Sequence, residues 1–351
     1  MTETFPTPAG QTGAAPKRSA GDGGFLLLDK PEGISSFQAL RPVKRLFPKT
    51  KVGHAGTLDP AASGLLLAGV GGGTRLLEYL EGQPKTYAFT ACFGFTSDSY
   101  DLEGEVLAFS GAAESPAPDA ARVAAALAPF RGKIRQTPPA YSAIKVGGER
   151  AYALARAGET VVLAAREVEV HSLELLSFAP ATDADGIAGA ARAELVMTCS
   201  KGTYVRSLVH DLGLALGCGG VTGKIRRLAI GPFRVEAGTD PAALGPETSL
   251  LPLEAAVAHL PAAVVPDSHV ARFLNGQTVV VATSGAIAPR ATADDAPDAA
   301  MEARAHDTSG RLLAIASLTP DGRLSPRKVL VKTPALSAGV TLPAGATGSA
   351  P

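Results

Sequence analysis

The residues best suited to chemistry lie in one stretch, "GHAGTLDPAASGLLLAGVG", Gly53 to Gly71. His54 and Asp59 occupy a glycine-punctuated turn there, and a long apolar run follows. A carboxylate held rigidly and partly out of water can attack an electrophilic carbon. Burial alone would raise its pKa, so such a group needs a cation beside it to stay ionised. Gly53 and Gly56 permit tight turns that would carry Asp59 to the lip of a sheet, and Pro60 biases Asp59 away from helical backbone. The same Asp-Pro pair is also what a helix N-cap with a first-turn proline looks like. On local pattern alone that cap is the commoner meaning.

Other chemistries do not fit. "GCGGVTGKI" imitates a phosphate loop, but Cys218 replaces the first glycine and Ile225 the hydroxyl residue. "GVGGGTR" lacks the dinucleotide spacing, and neither HExxH nor GxSxG occurs. Cys92, Cys199 and Cys218 are far apart and do not cluster with the six histidines, so no metal site is expected. An odd number of cysteines points to reduced thiols and a cytoplasmic protein. No apolar run approaches the roughly 18 residues of a membrane helix.

Net charge is zero, with 33 basic and 33 acidic residues, yet the charges are not evenly spread. "RPVKRLFPKTK", Arg41 to Lys51, and "KIRRLAIGPFR", Lys224 to Arg234, contain no acid. Arg131 to Arg156 carries six basic residues against Glu149 alone. Each cluster alone would pass for a solvated face. Three together point to a polyanion, with Arg41–Lys51 and Lys224–Arg234 as candidate backbone contacts.

The elements that must position these residues can be read from periodicity. "GFLLLDKPEG" predicts a buried strand ending in a Pro-Gly loop, and Ser35 or Ser36 caps a short helix that Pro42 limits. "SGLLLAGVG" and "KTYAFTACFGF" predict further strands, with "GTRLLEYLEG" a short helix between them. "DAARVAAALAPF" predicts a helix capped by Asp119, and "TYVRSLVHDLGLALG" an amphipathic helix ended by Gly217. "REVEVHSLELLSF" and "RAELVMTCS" read as strands. Long strands outnumber crossover helices, so the fold class is α+β with a largely antiparallel mixed sheet. The expected organisation is a disordered tail over 1–23, a catalytic domain over 24–233, a connector over 234–264 and a small β-barrel-like domain over 265–332. An Ala-, Pro- and Asp-rich insert near 284–302 is expected to be mobile, and 333–351 to form a second disordered tail.

Six blocks, in order, then carry a resemblance. "GFLLLDKPEGISS", "VGHAGTLDPAASGLL", "KTYAFTACFGFTSDSYDLEGEV", "RQTPPAYSAIKVGGERAYALARAGE", "CSKGTYVRSLVHDLGLALGCGG" and "KIRRLAIGPF" closely resemble the bacterial tRNA pseudouridine synthase B family. They span Gly24 to Phe233, and the C-terminal domain resembles the PUA-type module of that family. The resemblance implies isomerisation of uridine to pseudouridine at position 55 in the T-loop of tRNA, without cofactor and without metal. It implies Asp59, Tyr87 and Arg206 as catalytic residues. It implies His54, Lys30, Lys201, Tyr204 and Leu228 as substrate-binding residues, His54 filling the gap left by the flipped base and Lys30 with Pro31 supporting the active-site loop. Thr86 departs from the arginine of many relatives, removing one possible phosphate contact. The expected partner is the T-arm of tRNA, with no membrane, no obligate protein partner and a monomeric chain. The resemblance leaves open whether Asp59 attacks the sugar carbon or removes a sugar proton to give a glycal. Two rivals are a tRNA-folding chaperone without chemistry and an enzyme acting on another RNA with protein partners.

Overall fold

The structure is a computed structural model that describes residues 23–111, 117–142, 144–182, 186–281 and 300–331. Apart from Gly23, which begins the first strand, the expected tails and most of the expected mobile insert lie outside the described residues. The chain divides into two compact units, the boundary falling between Ala256 and Val257.

The first unit is built on a nine-stranded sheet. Its first strands are β1 (Gly23–Lys30), β2 (Val52–Ala55), β3 (Ala62–Gly71) and β4 (Lys85–Phe93). A small hairpin follows, β5 (Phe95–Ser97) with β6 (Val106–Ala108). The sheet resumes with β7 (Gly132–Gln136), and a second hairpin pairs β8 (Lys145–Val146) with β9 (Glu149–Arg150). β10 (Arg166–Ala179), β11 (Ala191–Cys199), β12 (Gly220–Ile230) and β13 (Phe233–Arg234) complete it. The main path runs β1-β3-β12-β4-β11-β10-β7, antiparallel except where β12 lies parallel to β3.

Sequence pattern explains these placements. Central β3 is buried along nearly its whole length, as its unbroken apolar run requires, whereas β11 alternates buried positions with exposed or half-buried ones. Gly64 is needed where β12 crosses: its φ is +101°, and a Cβ there would lie 2.3 Å from the Arg227 carbonyl oxygen.

Helices cover the sheet. α1 (Ser36–Ala39) and α2 (Arg41–Leu46) pack Ala39, Leu40 and Val43 against Leu26, Leu28 and Leu66. Ser35 forms the cap, in a reciprocal box with Gln38, and the helix breaks at Leu40 with Pro42 in the next first turn. α3 (Leu77–Glu81), α4 (Ala120–Ala126, capped by Asp119) and α5 (Ala151–Arg156) are short. α6 (Val205–Ala215) lays Leu208, Val209 and Leu212 on Phe89, Leu195 and Met197. At about 1.5–3 kcal/mol for each buried side chain, this contact fixes where the first turn of α6 sits. Residues of the expected connector run along β1: Phe25 N donates to Leu251 O at 3.0 Å and Asp29 N to Thr239 O at 3.0 Å.

The second unit contains a five-stranded sheet of β14 (Ala262–Val264), β15 (Val279–Val280), β16 (Met301–His306), β17 (Leu312–Leu318) and β18 (Arg323–Val329). Its order is β14-β16-β17-β18-β15. With α7 (Asp267–Leu274) it encloses a core of its own, including Val265, Phe273, Ala303 and Ala314.

Candidate active site

Asp59 lies in the turn between β2 and β3, and side chains distant in sequence hold both of its neighbours. The buried Ser36 hydroxyl donates to Leu58 O at 3.0 Å and accepts from Leu58 N at 2.9 Å. Lys30 Nζ donates to Pro60 O at 3.2 Å, to Pro31 O at 2.9 Å and to Ile34 O at 2.7 Å. Gly56, with φ at +74°, turns the chain into this position. No helix follows Asp59. Ala62 N closes a turn onto Asp59 O at 3.1 Å, and β3 begins at Ala62. The helix-cap meaning of Asp-Pro is thereby overturned: pairing with β1 and β12 captures the apolar run as strand.

Arg206 enters from the first turn of α6. Its Nη2 lies 2.8 Å from Asp59 Oδ2, and its Nη1 lies 3.4 Å from Asp101 Oδ2. It also donates to the carbonyls of Ser99 and Tyr141, each at 2.9 Å. The pair is asymmetric, with the Arg206 side chain 5% exposed and that of Asp59 42% exposed. The cation is therefore locked in protein while the carboxylate opens outwards, oriented by the guanidinium. Gln136 secures this turn in place of a cap, its amide bonding Tyr204 N at 2.8 Å and Tyr204 O at 3.0 Å.

Asp59 faces a cleft of about 660 Å³, also lined by Arg206, Tyr87, His54, Lys201 and Tyr204. Tyr87 projects from β4 between its cross-strand partners Met197 and Arg227. Burial raises the pKa of its phenol, with neighbouring Arg227 pulling the other way, so it is neutral near pH 7. Burial, helped by Arg227, lowers the pKa of His54, so its imidazole is neutral too. His54 Nδ1 is buried without a hydrogen-bond partner. Lys201 is exposed, and the Arg166 guanidinium sits 5.1 Å over the Tyr204 ring.

Two expected binding residues stand outside the cleft lining. Lys30 is fully buried with its ammonium donating to three carbonyls, so it braces the loop and presents no group to a substrate. Leu228 does not line the cleft, although Ile225 and Arg227 do, and the β12 register shifts between Arg227 and Ala229. The expectation of backbone contacts along Lys224–Arg234 is also corrected at its centre. Arg226 makes a bidentate pair with Asp29, at 3.0 and 2.7 Å, and Arg227 is 1% exposed. The Arg41–Lys51 cations are all exposed.

Sequence reasoning missed Asp101, Lys85, Arg166 and Arg227. Asp101 stood inside a resembling block, and Arg227 shares a strand face with Ile225, a signal hidden by the surrounding charge. Burial, with Arg227 next in effect, lowers the Lys85 pKa to about 8. Its ammonium bonds the Glu81 carbonyl and, at 2.8 Å, the Gln83 carbonyl. Among the described residues no group of His, Cys, Asp and Glu is placed to hold a metal, and no helix is long and apolar enough to cross a membrane.

Residues 44–205 match the TruB family pseudouridylate synthase (N terminal domain). The chain is 40% identical over 313 residues to tRNA pseudouridine synthase B of Chromohalobacter salexigens, covering 88% of this chain and 94% of that protein. It is 41% identical over 271 residues to the protein of that name from Gloeobacter violaceus, covering 76% and 89%. A solved Cbf5-Nop10-Gar1 complex contains a chain that superposes with a TM-score of 0.61 at 22% identity, over 88% of this chain and 85% of that one. An H/ACA RNP bound to a substrate RNA containing 2'-deoxyuridine gives a TM-score of 0.60 at 20% identity, over 89% and 86%. These two likenesses are of fold.

Proposed function

The chain belongs to the TruB family of pseudouridylate synthases, and from that premise we propose that it isomerises uridine to pseudouridine at position 55 in the T-loop of tRNA, with Asp59 as the catalytic carboxylate. One observation carries the reading: a carboxylate open to a cleft, paired at 2.8 Å with a buried guanidinium. The target base must leave its stack to reach Asp59, which costs a few kcal/mol. Neutral His54 offsets part of that by filling the vacated space, and Tyr87 offers a ring face to the flipped base. Asp59 then acts on the sugar as the C1'–N1 bond breaks, its electron pair leaving on the uracil. The freed base turns and C5 bonds to C1'; Tyr87, having passed its own phenol proton to water, takes the C5 proton, and N1 gains a proton from water, so Tyr87 ends neutral as it began. Atoms and oxidation level are conserved, so the reaction calls for no cofactor.

Arg41, Lys44, Arg45, Lys49 and Lys51, exposed together, suit the tRNA backbone. Lys201 and Tyr204 would contact the RNA at the cleft, whereas Lys30 would act through the loop. We take the second unit to be a PUA-type RNA-binding module, supported by its separate sheet and core. The three buried free thiols fit a cytoplasmic enzyme, working as a monomer. Incubating the purified protein with unmodified tRNA and mapping pseudouridine by chemical labelling tests the reading. Product confined to the T-loop supports it. Product elsewhere favours an enzyme of wider RNA range, and binding without product favours a folding chaperone.

A further inference from the structure

Arg227 is a buried cation that the chemistry above leaves without a task. It is 1% exposed and lines the cleft. Its Nε donates to Leu65 O at 2.7 Å and its Nη2 to Gly56 O at 3.0 Å. Arg206 has Asp59 and Asp101, and Arg226 has Asp29, but among the described residues Arg227 has no carboxylate partner. A buried charge answered only by carbonyl dipoles carries a desolvation cost that a nearby anion would relieve. Glu81 and Glu167 also line the cleft, but both are exposed and neither forms an ion pair with Arg227, while His54 on β2 is neutral, Lys85 on β4 is a base, and burial pushes the Cys199 thiol on β11 up to about 11. Asp59 is committed to Arg206. What stands directly across the strand pair is Tyr87, whose side chain emerges on the same face.

We propose that Arg227 is a positioning residue for the closing proton transfer, holding the Tyr87 oxygen in place and supplying the positive charge that lets it carry negative charge as it takes the C5 proton. The inference rests on the pseudouridine synthase reading. In this step the Tyr87 phenol first yields its proton to water. The C5–H bond then breaks, the proton passes to the phenolate oxygen, and the C–H electron pair restores C5=C6. The N1=C6 pair moves onto N1, which takes a proton from water, so Tyr87 ends as it began. A fixed guanidinium in a cleft of low dielectric favours that transient charge without reorganising.

The test compares single-turnover rates on tRNA carrying uridine, C5-deuterated uridine or 5-fluorouridine at the target. Arg227→Gln should slow pseudouridine formation about 100-fold, with a larger C5 deuterium isotope effect and partial recovery in Arg227→Lys. Loss of 5-fluorouridine should stay near the parent rate, since that base has no C5 proton to surrender. In a Tyr87→Phe background Arg227→Gln should cost no more than about 3-fold further, because the two act as one unit. Equal slowing of uridine and 5-fluorouridine, or an undiminished effect beside Tyr87→Phe, would overturn the proposal and leave Arg227 a structural brace. Should Arg227→Gln not fold, the isotope effect of Arg227→Lys decides: larger than the parent supports the proposal, unchanged overturns it. A parent protein that makes no pseudouridine defeats the function itself, an outcome separate from any ratio between variants.

Discussion

The two walls of the cleft are made differently. Asp59 sits in a turn whose neighbours are held by Ser36 and Lys30, and its carboxylate by Arg206, each a side-chain bond from a distant part of the chain. Tyr87 sits mid-strand, placed by register against β11 and β12 and by the apolar core behind the sheet. Polar staples hold one wall and hydrophobic packing holds the other. Disturbing the first arrangement should loosen the catalytic turn, and disturbing the second should chiefly cost stability.

The largest expected effect is at the stapled wall. Asp59→Asn keeps shape and removes charge, so pseudouridine formation should fall by about 10⁴-fold or more, while tRNA affinity stays within several-fold. Quench-flow turnover beside equilibrium tRNA binding measures both. Turnover near the parent level would remove Asp59 from the chemistry and leave the two walls without distinct roles.

Packing predicts the next effect. Met197 is fully buried and directly opposite Tyr87, so Met197→Ala should cost about 2–5 kcal/mol of unfolding free energy in denaturant. Ser36→Ala strips both backbone bonds of Leu58 of their partner, and should cost about 1–3 kcal/mol. The contrast lies in activity: Ser36→Ala should lower the turnover rate of fully folded protein about 10-fold by loosening the Asp59 turn, and Met197→Ala should not. If Ser36→Ala lost only stability and Met197→Ala lost rate, the division between the walls would be wrong.

The same division explains what could be read from sequence. Several strands were legible because an apolar run such as "SGLLLAGVG" leaves little alternative to a buried strand, and β4, β11 and α6 follow from periodicity in the same way, whereas β12, central between β3 and β4, was not, its charges masking the strand. The surroundings of Asp59 were legible only through resemblance. Asp-Pro has the same local preferences at a helix cap and in this turn, and the deciding bonds come from residues 23, 29 and 147 positions away. Arg227 was hidden for a related reason: its neighbours Lys224, Arg226 and Arg234 made it look like one more surface charge. Whether a cation in a strand points inward depends on which strands pair with it and what packs on that face, and neither is written in the local sequence.

The smallest expected effect tests how the stapled wall is anchored. Burial lowers the Lys30 pKa to about 8, with Asp59 opposing that fall, against an ordinary value of 10.5 in the unfolded chain. Between pH 8 and 10.5 the unfolded chain holds a proton on Lys30 that the folded protein has given up. More protons bound to the unfolded state means that stability gains from rising pH, by at most about 1.4 kcal/mol per pH unit from this group. Below pH 8 both states are protonated, and the cost of burying the charge is borne in full. Lys30→Met removes this contribution and leaves the titration of Lys85 and Cys199 common to both proteins. Denaturant unfolding at pH 7.5 and pH 10 should therefore show the parent's advantage over Lys30→Met widening with pH. A constant gap would mean that Lys30 does not titrate in that window, and that its three carbonyl bonds hold the ammonium charged as firmly as water does.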